Sequence, residues 1–185
     1  MAVQDFKSTT SPCARFNTKG WLEMHENHLY ETRCSQAELL LLGDSIIKGL
    51  SRYKRVWSKY FKSMKTLNLS IKGDKTQHVL WRAKSIKIPE TVKFALVHCG
   101  TNNIDKDLPC DVAEGIMSIG LTLVPKNKFT KIIIAGLLQR DAGPSYRRKQ
   151  INKINILLAE KCKLLSNFHY LEPDSDWIKK DGTLE

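Results

Sequence analysis

Apolar residues follow two rhythms along this chain. Short continuous runs fall at residues 39–42 (four leucines) and 131–138, and residues 168–171 read as a short last strand. Unbroken runs of that length read as strands buried on both faces. Residues 64–70 alternate apolar and polar, and residues 91–99 are mostly apolar, so both read as further strands. Between the strands, apolar residues recur every three or four positions. Val112, Ile116, Ile119 and Leu123 mark a helix over 111–124 that Pro125 closes. Ile151, Ile154, Leu158, Cys162 and Leu165 mark another over 146–165, and Val79 and Leu80 face inward from a helix over 76–84. Ile46, Ile47 and Leu50 open a helix over about 46–53.

Five strands alternating with helices imply crossover connections. The expected fold is therefore α/β: a three-layer sandwich with a five-stranded parallel sheet. Residues 1–36 are polar and turn-rich, and read as an irregular N-terminal arm or linker, with Trp21, Leu22 and Tyr30 able to pack on the domain edge. Residues 37–185 form the globular domain. No run of about 20 apolar residues is present, and the N-terminus lacks a signal-type apolar core, so a cytoplasmic protein is expected. Five cysteines without a Cys-x-x-Cys pair point to free thiols. Cys13, His25, His28 and Cys34 match no standard zinc spacing, so no metal or other cofactor is expected.

Charge is concentrated. The chain carries a net +11, and the stretch from Lys48 to Lys93 holds 13 Lys or Arg against two acids, so it accounts for the whole excess. Such a field attracts phosphate, in RNA, DNA or an acidic membrane, or simply keeps a surface solvated. Trp57, Tyr60, Phe61 and Trp81 interleave these cations, suited to base stacking or to the core.

Three of the loops following strands carry residues with chemical potential: Gly43-Asp44-Ser45, Gly73-Asp74 and Gly100-Thr101-Asn102. In a parallel sheet all three share the C-terminal edge, where open α/β folds place working groups. Ser45 offers a hydroxyl at a helix start. The N–H groups of Ser45 and Gly73 and the Asn102 amide offer donors for a developing oxyanion. Asp44 or Ser45 could equally be a plain helix cap.

These three blocks resemble the signature blocks of the SGNH (GDSL-type) hydrolases, whose sheet has flavodoxin-like topology. Residues 73–82, 100–103, 112–116 and 131–138 are similar to the intracellular platelet-activating-factor acetylhydrolase catalytic subunits. The lysine-rich surface and residues 147–152 resemble esterase domains from the first open reading frame of LINE-type retrotransposons. The resemblance implies Ser45 as nucleophile and Ser45, Gly73 and Asn102 as oxyanion donors, with Asp44 fixing the turn. The implied substrate is a small acyl ester, acetyl-type, including lipid esters. A retrotransposon setting further implies self-association through the parent protein and a nuclear location with a ribonucleoprotein. The alternative is a catalytically impaired module on the same fold that binds nucleic acid or acidic membrane. One family element is missing: the Asp-x-x-His segment that supplies the base is expected beyond Glu185. His78, His98 and His169 read as core or edge histidines.

Overall fold

The computed structural model describes residues 8–176, 178, 179 and 181–184. A five-stranded, all-parallel sheet runs in the order β2-β1-β3-β4-β5, with β1 Leu39–Gly43, β2 Leu67–Asn68, β3 Phe94–His98, β4 Lys131–Ala135 and β5 Phe168–Leu171. The expected α/β sandwich is the observed one. Its main core lies on one face, where Leu40, Leu42, Ala95, Val97, Ile132 and Ile134 meet α4 (Thr76–Ser85), α5 (Pro109–Leu123) and α6 (Tyr146–Lys163). The α5 stripe Val112, Ile116, Ile119 and Leu123 is fully buried there. On the other face Leu39 and Leu41 pack with Ile47 of α2 (Ser45–Leu50), with Trp57 and Phe61 against them. Both faces of β1 are therefore covered, which is why its run of leucines is unbroken.

Four elements differ from the sequence reading. Residues 1–7 of the expected arm lie outside the described residues, but the rest is not irregular. A 3-10 turn at Ser8–Thr10 leads to α1, a 14-residue helix at Trp21–Cys34. Its fully buried residues are Trp21, His25 and Thr32, while Leu22, Met24 and Leu29 pack on the cores only partly covered, so apolar periodicity marks it weakly. Trp21 is completely buried, whereas Tyr30 is exposed. The second strand is reduced to Leu67–Asn68, though Leu69 N and Ile71 N still bond β1; Asn68 turns its side chain to the backbone, Nδ2 donating to Ile47 O (2.9 Å) and Oδ1 accepting from Ser70 N (3.1 Å). Residues 54–61, beyond the helix expected over about 46–53, form a short helix α3 (Lys54–Val56) that runs on as a π-helical turn at Trp57–Phe61. The fourth strand stops at Ala135, since Leu137 exchanges its backbone hydrogen bonds with the Asn155 side chain (2.7 and 2.9 Å).

All five cysteines are free. Among the described residues no helix is long and apolar enough to cross a membrane, and no group of three His, Cys, Asp or Glu is placed to hold a metal.

Trp21 joins α1 to the domain through both its ring and its Nε1–H, which donates to Asp74 Oδ1 at 2.7 Å. Trp21→Phe should cost about 1.5–3 kcal/mol, the value of one charge-assisted hydrogen bond. Trp21→Ala should cost about 3–5 kcal/mol, adding the cavity. Urea denaturation followed by far-UV circular dichroism measures both; wild-type stability in Trp21→Phe would show that the hydrogen bond contributes nothing.

Candidate active site

The three special loops do meet at one edge of the sheet. β1 ends at Gly43, paired with His98 of β3. A Cβ on Gly43 would stand 2.2 Å from His98 O, so only glycine lets the chain turn there. Asp44 then caps α2, its Oδ1 accepting from Ile46 N at 2.9 Å. Ser45 begins the helix and is exposed.

The second loop is held against the first. Leu69 N donates to Leu41 O and Ile71 N to Gly43 O (2.8 and 3.1 Å), which carries Gly73 alongside the turn. Gly73 has φ +79°, a left-handed conformation that glycine adopts without strain. The third loop begins at Gly100, φ +116°, where a Cβ would press on Val112 and Ile116 of α5 at 3.0 and 3.1 Å. Asn102 Nδ2 donates to Asp74 O at 2.8 Å, locking this loop to the second. One of the two amide hydrogens is used in that bond, and the other remains for a ligand. No hydrogen bond to a described residue uses the N–H of Ser45 or Gly73. Exposed hydroxyl, two backbone donors and one amide donor thus belong to three loops in mutual contact.

Asp74 anchors the arrangement and is wholly buried. Its Oδ2 receives Arg82 Nε at 2.9 Å, with Nη2 at 2.8 Å, and Arg82 is buried as well. Its Oδ1 receives Trp21 Nε1 (2.7 Å) and Arg15 Nη1 (3.3 Å). Asn103 adds a second tie: Oδ1 accepts from Thr76 N at 3.0 Å, while Nδ2 donates to Gln77 Oε1 and Asp107 Oδ2. From the fourth strand's end, Arg140 Nη1 donates to Thr101 O at 3.0 Å. Arg15, Trp21, Asn103 and Arg140 were not legible as site residues. Asn103 follows Asn102 directly, and that adjacency was the one signal available.

Asp44 is less well served than Asp74. Burial pushes its carboxyl up to about 6, opposed by the Ile46 N–H, raised further by Asp74 and offset by Arg140. Its Oδ2 is buried without a partner.

The histidines do not complete the group. His98 is buried, neither ring nitrogen has a partner, and burial lowers it to about 4. His78 Nδ1 is occupied by Lys75 N at 3.0 Å. His169 is exposed on β5, and His25 packs between Trp21 and Trp81. Of the four aromatics among the cations, Trp57 and Phe61 stack on each other and face the core, Trp81 packs on Trp21, and Tyr60 alone is exposed.

No family model matches the chain. It is 31% identical over 188 residues to platelet-activating factor acetylhydrolase IB subunit alpha2 of Homo sapiens, covering 100% of this chain and 81% of that one. Among solved structures, a Streptococcus pneumonia protein described as a platelet activating factor superposes with TM-score 0.75 at 17% identity, over 89% of this chain and 79% of that one. A GDSL-like lipase from Bacteroides thetaiotaomicron superposes with TM-score 0.61 at 18% identity, over 86% and 88%. The structural likenesses carry the fold.

The Asp44 carboxyl gives a signed pH dependence. Its folded value, about 6, lies above the ordinary 3.8, so between those values the folded protein holds a proton that the unfolded chain has lost. This group's contribution to stability is full below about pH 4, declines as pH rises to about 6, and is gone above it. Asp44→Asn keeps the capping oxygen and removes the charge. It should raise stability at pH 7 by roughly 1–3 kcal/mol and abolish the decline, read from urea denaturation between pH 4 and 7. No gain at pH 7 would show that Asp44 is solvated in its ionised form.

Proposed function

Because the chain belongs to the SGNH/GDSL hydrolase family, alongside the platelet-activating-factor acetylhydrolase IB alpha subunits, we propose that it is a serine esterase of small acyl esters, acetyl-type, with Ser45 as its nucleophile. The relatives are hydrolases of acyl esters. The observation that carries the finer reading is the meeting of an exposed Ser45 with unused N–H donors on the adjoining loops.

The steps follow from that arrangement. The substrate carbonyl settles with its oxygen toward the N–H groups of Ser45 and Gly73 and the free Asn102 N–H. Ser45 Oγ attacks the carbonyl carbon, and the carbonyl π pair moves to the oxygen, where the donors hold it. Collapse expels the alkoxide and leaves an acyl-Ser45 ester, which water cleaves by the same route. Each donor of this kind is worth about 2.7–4 kcal/mol in the transition state. Asp44 keeps the turn that presents Ser45. Removal of the serine proton needs a base, and no described histidine is placed to act as one. The family reading assigns it to an Asp-x-x-His segment.

Lipid esters as substrates follow from the likeness to the acetylhydrolases, and a retrotransposon protein that also meets nucleic acid or acidic membrane rests on the cations and on residues 147–152. Lys54, Arg55, Lys59, Lys62 and Lys65 are exposed, and Tyr53 and Tyr60 stand among them. A second, binding role through that face predicts affinity that falls steeply with added salt.

A fluorophosphonate probe tests the nucleophile directly. Imidazole added as an external base compensates for any missing one. Ser45 should be labelled, faster with imidazole, and Ser45→Ala should not be labelled. Asn102→Ala should slow labelling about 10²–10³-fold. A wild-type protein that stays unlabelled even with imidazole would refute the esterase reading.

A further inference from the structure

Arg15 lies in the chain before α1, far in sequence from the three loops, yet its guanidinium covers one of them. Nη1 donates to Lys72 O at 3.0 Å and to Asp74 Oδ1 at 3.3 Å, the residues on either side of Gly73. Nη1 and Nη2 stand 3.3 and 3.4 Å from where a Cβ on Gly73 would be, so the group lies over that glycine. The Lys72 carbonyl and the Gly73 N–H belong to the same peptide unit. No cis peptide occurs among the described residues, so the two point in opposite directions across a rigid plane. Fixing the oxygen fixes the direction of the N–H. A cation bonded to the oxygen also draws electron density from the amide and strengthens the N–H as a donor. At Gly73 no side chain restrains the peptide from turning over, so the restraint has to come from outside.

Neutralising Asp74 does not require Arg15, since Arg82 already lies against both the carboxylate and Leu69 O. The same device recurs on the third loop. There Arg140 bonds the Thr101 carbonyl, in the peptide unit that leads into Asn102.

We propose that Arg15 is a positioning residue of the reaction: it holds and polarises the Lys72–Gly73 peptide so that the Gly73 N–H faces the oxyanion. The proposal rests on the esterase reading above. It makes the segment before α1 part of the working site.

The test compares wild type, Ser45→Ala, Arg15→Ala and Arg15→Lys in fluorophosphonate labelling with imidazole present. Arg15→Ala should lower the rate constant at saturating probe about 10–50-fold, less than the 10²–10³ for outright loss of a donor. The probe concentration at half-saturation should stay the same, with all rates compared at a temperature where every variant is fully folded. Millimolar guanidinium chloride should restore part of the rate in Arg15→Ala, and equal sodium chloride should not. Arg15→Lys, a point charge without the fork, should recover less than half of the loss. A saturating rate equal to wild type would overturn the proposal while leaving the esterase reading intact. So would a loss that vanishes at a temperature where the variant is fully folded, since that would make Arg15 a docking contact only. Absence of labelling in wild type would remove the esterase reading and this proposal together.

Discussion

A single buried carboxylate holds the candidate site in one piece. Asp74 has no exposure, yet it receives Arg82, Trp21 and Arg15 through its side chain and Asn102 through its carbonyl. An ion removed from water costs several kcal/mol unless partners replace the solvent, and loss of its buried counter-ion, Arg82, would leave an uncompensated charge worth about 3–5 kcal/mol. The partners come from different parts of the chain: the segment before α1, α1 itself, α4 and the third loop. Arg82 supplies the counter-charge, while Trp21, Arg15 and Asn102 bring the arm and the third loop to the same residue. Docking of the arm and the shape of the sheet's rim are therefore joined at Asp74.

That dependence explains which parts of the fold were open to sequence reading. β1 is a run of Leu and α5 repeats at spacings of 4, 3 and 4, and both appear as expected because hydrophobic burial specifies them; β4 forms from its Ile run but ends at Ala135, where Asn155 takes over the backbone of Leu137. The helix at Trp21–Cys34 escaped because its buried face is mostly polar by composition: His25 rests against Trp21 and Trp81, and Thr32 bonds Leu29 O. The edge strand β2 is short, and past it Asn68 gives Ser70 N and Ile47 O the partners that a further strand would supply. In each case a polar side chain did what an apolar residue or a ladder bond does elsewhere, and periodicity counts neither.

The site shows the same division. Gly43-Asp44-Ser45, Gly73 and Gly100-Thr101-Asn102 were visible because glycine and short polar residues after a strand mark a turn that the topology gathers at one edge. Gly43 is required by His98 O and Gly100 by α5, so these glycines record real close approaches. Arg15, Trp21 and Arg140 were invisible. Their bonds span from 39 to 59 residues, and nothing in local spacing says which carbonyl or carboxylate a distant side chain will reach.

The net charge also hides two populations. The lysines from 54 to 65 are exposed and shape the outer field. Several arginines instead serve the interior, bonding backbone carbonyls that have no strand or helix partner: Arg82 at Leu69, Arg15 at Lys72, Arg140 at Thr101, and Arg148 at Arg140, Asp141 and Gly182. Carbonyls in the loops beyond a parallel sheet must find donors somewhere, or the loops stay wet and mobile. Guanidinium is suited to this, with several donors in a rigid plane and weaker hydration than ammonium. A lysine in the same place would carry three donors on one freely rotating centre and hold no plane. Arg15 Nη1 joins the Lys72 carbonyl to the Asp74 carboxylate while the rest of the guanidinium plane lies over Gly73, and so fixes the direction of the peptide between them.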